Sequence, residues 1–273
     1  MSMMNAEGTE LAAEERPALP RVVIASVQFV GTDIQESIRD RIVKEIESPR
    51  FYDFPDRSWL ADIEEVRVKG ELYKSGYFLA NIRADARLID GNQQSSRYAL
   101  TLYIDEGMKY RLGKIGFVNA EENDNLAFSA SELRKRFEMI RGETLNSSKI
   151  RNGIEEITKV YGDNGYIDMV VEPEIKNDDN RGVIDVVMKI DQGKKYRVGK
   201  VEFLGLDDKS QLLLKPQLKT GDVYDKSLIE ELLGRNKALL PSDVSWEDVQ
   251  LTRNTKEGLV DMLFDFRTCP KTN

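Results

Sequence analysis

One stretch of this chain occurs twice, and that repetition limits the fold more than any other feature. The run from Ile104 to Phe117 (IDEGMKYRLGKIGF) returns from Ile190 to Phe203 (IDQGKKYRVGKVEF), at a constant offset of about 86 residues, as stacked modules do. In each copy an apolar strand ends, a glycine permits the turn, and a new alternating strand begins. Each copy therefore marks a joint, where the last strand of one module hands over to the first strand of the next. A partial third copy stands at the front: Val27 to Gly31 (VQFVG) matches Val201 to Gly205 (VEFLG).

The 273 residues, 40% hydrophobic and 32% charged, suffice for several modest cores. A formal charge of −8 argues against a nucleic-acid groove or an anionic membrane surface, since both need a basic face. Histidine is absent, which removes the commonest general base and the commonest metal ligand together. Cys269 is the one cysteine and can form neither a thiolate cluster nor an internal disulfide. No catalytic, cofactor-binding or metal-binding residues are assigned, and an enzyme is not expected. No run reaches the ~18 apolar residues of a membrane helix. Direct membrane insertion of this chain is not expected, and its first twenty residues lack the apolar core of an export signal.

The order within each module is β-α-α-β-β. After Val22 to Gly31, Thr32 and Gln35 read as a capping box, opening a helix with Ile34, Ile38, Ile42 and Ile46 on one face. A second helix spans Ser58 to Ser75 and ends at Gly76. On it Glu64 and Glu65, like Glu155 and Glu156 later, read as a solvated face. Leu79 to Leu88 alternates as a half-buried strand, with Ala80, Ile82, Ala84, Ala86 and Leu88 inward, and Tyr98 to Ile104 returns. The second module repeats this, with Asn146 capping a helix that carries Ile150, Ile154, Ile157 and Tyr161, and with Gly165-Tyr166 matching Gly76-Tyr77. Pro173 cannot donate to a ladder, which puts its strand at a sheet edge. The third module keeps the turn before its second helix, Gly221 to Asp225, but has Pro241 in place of the Gly-Tyr pair.

Successive modules that open V-x-F-x-G, carry G-[ED]-x-[LY]-[ND] before the second helix and place Gly-Tyr after it resemble POTRA (polypeptide-transport-associated) domains, as in BamA-type outer-membrane assembly proteins. The resemblance covers residues 21 to 268 and implies an α+β fold: three modules, each a three-stranded mixed sheet covered by two helices, arranged as an elongated rod. The expected division is a lead-in at 1–20, modules at 21–109, 110–195 and 196–268, and a tail at 269–273. The resemblance also implies a periplasmic location at the outer membrane of a Gram-negative-type bacterium. The implied partners are unfolded outer-membrane protein clients, accessory subunits, and a membrane β-barrel in the same full-length protein or in a separate chain.

A binding scaffold of this kind would receive extended chains by strand addition to an exposed edge. The candidate edge residues are Asn81, Ile82, Arg83, Ala84 and Asp85 in the first module and Val170, Val171 and Glu172 in the second. The first module is expected to be the better receiver, because Pro173 removes a donor from the second. Phe51, Tyr52 and Phe54 form a candidate partner patch. The alternative keeps the fold but makes it a structural adaptor that only docks other subunits to a separate barrel.

Overall fold

The computed structural model describes residues 21–47, 59–92, 95–121, 125–241 and 249–267. The chain divides into two compact units between Lys109 and Tyr110. The first unit runs β1 (Arg21–Val30), α1 (Glu36–Glu47), α2 (Trp59–Asp62), a π-helical segment (Ile63–Val68), α3 (Lys69–Lys74), β2 (Asn81–Gly91) and β3 (Ser95–Asp105). Its strands stand in the order β1-β3-β2, with β1 parallel and β2 antiparallel to the central β3. A parallel partner needs a crossover, which the helices supply. Ile34, Ile38, Ile42 and Ile46 are all buried, and with Trp59 and Leu72 they form one core with Leu100, Leu102 and Ile104 of β3.

Two local expectations for this unit are corrected. The Thr32 hydroxyl accepts from the Ile34 amide at 3.3 Å, a local turn that replaces the capping box. The first helical carbonyl is that of Gln35, so α1 begins at Glu36. Leu88 is 50% exposed, since a register shift between Leu88 and Asp90 breaks the alternation there.

The second unit holds two further sheets of the same design. One is built from β4 (Arg111–Asn119), α4 (Ala130–Arg134), α5 (Ser147–Gly162), β5 (Val170–Asp178) and β6 (Val183–Asp191), in the order β4-β6-β5. The other comprises β7 (Arg197–Leu204), α6 (Asp208–Leu214), α7 (Lys226–Arg235), β8 (Val249–Asn254) and β9 (Leu259–Asp265), in the order β7-β9-β8. In both, the first strand is parallel and the second antiparallel to the last. The chain is thus α+β, with three mixed sheets and helices. The caps are as the sequence implies: Asn146 accepts from the Lys149 amide at 3.1 Å and Asp225 from the Ser227 amide at 2.9 Å. A full capping box does occur at Ser129 and Glu132, opening α4.

The repeated joint has a physical basis in both copies. Tyr110 and Tyr196 are fully buried, and their hydroxyls donate to Asp179 at 2.6 Å and Asp168 at 2.7 Å, as a buried phenol requires. Donating to these carboxylates raises both phenols above their usual pKa. Just beyond each tyrosine the first strand shifts register around Gly113 or Gly199. There Asp185 or Asp261, from the central strand, accepts from the Lys114 or Lys200 amide at 2.6 Å in each case. A Cβ on either glycine would collide with that carboxylate.

Gly165 ends its turn with φ +91°, and a Cβ there would lie 2.7 Å from the Tyr196 carbonyl oxygen. Gly165→Ala therefore meets left-handed strain and a backbone clash at once, and is expected to destabilise the second unit by about 2 kcal/mol or more. An unchanged denaturant midpoint would remove this account of the Gly-Tyr pair.

Candidate functional site

Each sheet has two outer strands, and they are not equally open. In the second unit the outer side of the first strand is closed at its start by the chain itself. The Leu112 amide donates to Glu143 O at 2.8 Å, Gly142 N to Leu112 O at 2.7 Å, and Leu145 N to Tyr110 O at 3.0 Å. The third sheet repeats this with Val198 N to Asp222 O, Gly221 N to Val198 O and Tyr224 N to Tyr196 O. The motif read in the sequence as a turn before a helix is therefore also a short cover on a strand edge. For the first sheet the corresponding stretch before α2 lies outside the described residues.

The second strand of each sheet, β2, β5 and β8, is the other outer edge. Along such a strand the amides alternate, one facing the ladder and the next facing out. Ala84 pairs with Leu102 and Pro173 with Met188, positions that correspond in the repeat. Pro173 has no N–H, and the register of β5 runs past it unbroken, so its nitrogen faces outward. Ala84 faces outward too, and its amide donates to the carboxylate of Glu64. Glu64 belongs to the π-helical segment, so the solvated face expected for it is corrected. By the same alternation Ile82 and Ala86 face outward on β2, and Val171 and Ile175 on β5.

The candidate residues fall as follows. Asn81, Arg83 and Asp85 are exposed on the face away from the helices, while Ala84 is buried and Ile82 half-buried. Arg83 pairs with Asp85 at 3.0 Å and its guanidinium lies 4.2 Å from the centre of the Tyr103 ring. Asn81, Ile82, Arg83 and Tyr103 border an open hollow of about 560 Å³ with Val30 and Gly31. Val170 is 52% exposed, Glu172 is exposed and Val171 is half-buried; Ile175, outside the candidate set, is 53% exposed on the same strand. The first set belongs to the first unit and the second to the second. Phe51, Tyr52, Phe54 and Cys269 lie outside the described residues.

The second unit also carries a groove of about 670 Å³, lined by Lys159, Asp163 and Tyr166 on one side and Tyr224, Leu251 and Arg253 on the other. Tyr166 meets Tyr161 edge-on at 5.5 Å, so it packs as well as lining the groove. Burial and the nearby Asp225 raise the Asp163 carboxyl above its usual range. Asp168 and Arg253 pair at 3.1 Å; both are partly exposed, which keeps such a pair weak. Among the described residues no cluster of carboxylates or thiols could hold a metal ion, and no helix is long and apolar enough to cross a membrane.

Comparison with known proteins agrees with this fold. The POTRA family, described as surface antigen variable number repeat, matches residues 110–193. The outer membrane protein assembly factor BamA of Buchnera aphidicola is 26% identical over 188 residues, covering 67% of this chain and 28% of that protein. BamA of Nitratidesulfovibrio vulgaris is 26% identical over 217 residues, covering 77% of this chain and 26% of that protein. The chain thus spans about a quarter of the length of such relatives. Among solved structures, POTRA domains 3–5 of Haemophilus influenzae BamA superpose with a TM-score of 0.64 at 17% identity, over 94% of this chain and all of that one. Residues 110–193 thus match the POTRA family, and over most of its length the chain is similar to BamA-type outer-membrane protein assembly factors and has the fold of their tandem POTRA domains.

Proposed function

We propose that this chain is a periplasmic polypeptide-binding scaffold of an outer-membrane protein assembly or secretion machinery, without enzymatic activity, made of POTRA modules at 21–109, 110–195 and 196–268. Client chains or accessory subunits would be received by strand addition to β2, β5 and β8, beside a membrane β-barrel of the same protein or of a separate one. The observation that carries this reading is the asymmetry of the sheets. In the second unit the start of the first strand's outer side is closed by the chain's own turn, while among the described residues no backbone bond closes the outer side of β5 or β8. Backbone pairing is indifferent to most side chains, which suits a receiver of varied sequences.

A photo-crosslinking residue placed in turn at Glu172, at Gln250 and, as a helix-face control, at Glu156 tests this. The probe is an extended peptide of about ten alternating apolar and polar residues, the length of one membrane β-strand. Adducts are expected at Glu172 and Gln250 and not at Glu156. Equal labelling at all three, or none, would overturn strand addition and leave the adaptor reading, in which the modules only dock other subunits.

A further inference from the structure

Ala84 and Pro173 hold the same place in two sheets, at the middle of the open edge, and neither offers an outward amide. Pro173 lacks the hydrogen, and Ala84 has given its own to Glu64. Unprotected edges are an aggregation hazard that proteins blunt by proline or by charge, so one hazard is met here in two chemical ways. They differ in permanence. A proline can never be made to donate, whereas a carboxylate on a side chain can rotate off.

We propose that Glu64 is a displaceable plug on the edge of the first sheet: β2 accepts an extended polypeptide only when a backbone carbonyl of that strand replaces the Glu64 carboxylate on the Ala84 amide. This rests on strand addition as the binding mode. It reverses the expectation that the first module is the readier receiver, since in the resting state its central donor is occupied. The exchange is nearly balanced in hydrogen bonds, one acceptor for another. The incoming strand gains its remaining pairs at Ile82 and Ala86, so a long, continuous strand can displace the plug and a short one cannot. Glu64 is half-buried, so on release its carboxylate recovers the hydration that it lacks in place.

The test uses the full chain with a photo-crosslinking residue at the exposed position Asp85, and at Glu172 as the reference edge. Glu64→Ala is expected to speed amide hydrogen exchange at Ala84 and to raise peptide capture at Asp85 by about tenfold, the factor set by losing one hydrogen bond to a charged acceptor. Capture at Glu172 should not change. Glu64→Gln, which keeps an acceptor, should fall between, and Ala84→Pro, which copies the tolerated Pro173 and leaves Glu64 no amide to hold, should make capture at Asp85 the same with and without Glu64→Ala. If Glu172 captures peptide while Glu64→Ala leaves Asp85 unchanged, the plug is wrong and strand addition stands. If neither position captures peptide in any variant, both are wrong.

Discussion

Gly205→Ala is expected to lower the stability of the second unit by about 3 to 4 kcal/mol. The residue closes β7 with φ +82°, and a Cβ on it would stand 2.7 Å from Phe266 C, 2.8 Å from Arg267 N and 2.9 Å from Phe266 O. All three are backbone atoms and cannot rotate aside. The strand end is tied there by the Phe266 amide donating to Leu204 O at 3.0 Å, so relief of the clash costs that bond. The first sheet supplies the control. Gly31 occupies the matching place with φ +76°, yet its Cβ would meet only Ile104 O, at 3.5 Å. Gly31→Ala should therefore cost the left-handed strain alone, about 1 to 2 kcal/mol. Denaturant unfolding of the two variants separates the terms, and equal losses would mean that the close approach at Gly205 is relieved by movement of the chain.

The third matching position is Asn119, and it shows what a sequence repeat does and does not convey. Among the described residues no non-glycine has positive φ, so Asn119 has left the left-handed conformation that its counterparts hold. Its side chain instead accepts from the Glu121 amide at 2.9 Å. The strand order was readable because proline, glycine and hydrophobic alternation are local signals: Pro173 marked an edge, Gly165 a left-handed turn, and Asn146 and Asp225 their caps. Gly113 with Asp185 was legible in principle, because Gly199 and Asp261 repeat the pair on the first and last strands of the next sheet. What joins each pair is a contact across the sheet, which no local pattern announces.

Glu64 was beyond reach for a different reason. A helical reading of Glu64 and Glu65 assumes one winding, and the segment Ile63–Val68 is π-helical. The wider turn changes which residues share a face, and it brings one of the two acids onto the edge of β2. The cover on β4 and β7 was hidden likewise. Gly142 to Asn146 and Gly221 to Asp225 were recognisable as one motif, but their pairing with Leu112 and Val198 is tertiary. Of the candidate edge, then, the strands could be read from the sequence and the state of each amide could not.

That alternation of amides makes the second large effect a contrast between neighbouring residues on β5. Ile175 stands two residues from Pro173, so its amide faces outward, while Glu174 lies between them and its amide faces the ladder opposite Val187. Glu174→Pro should remove a ladder bond and force the ring against β6, costing about 3 kcal/mol or more. Ile175→Pro should cost much less, since the side chain is already 53% exposed and the lost hydrogen had no partner in the sheet. Adding Val171→Pro then leaves β5 with proline at three successive outward positions and no outward donor from 171 to 175. The doubly substituted chain is expected to unfold near the parent's denaturant midpoint, yet to lose capture of an extended peptide at Glu172 by about tenfold or more, because an added strand needs those hydrogens and meets rings in their place. Two results would count against the assignment. If Ile175→Pro and Glu174→Pro destabilise equally, the outward parity of β5 is wrong; if the folded double variant captures peptide as the parent does, the client does not pair with this edge.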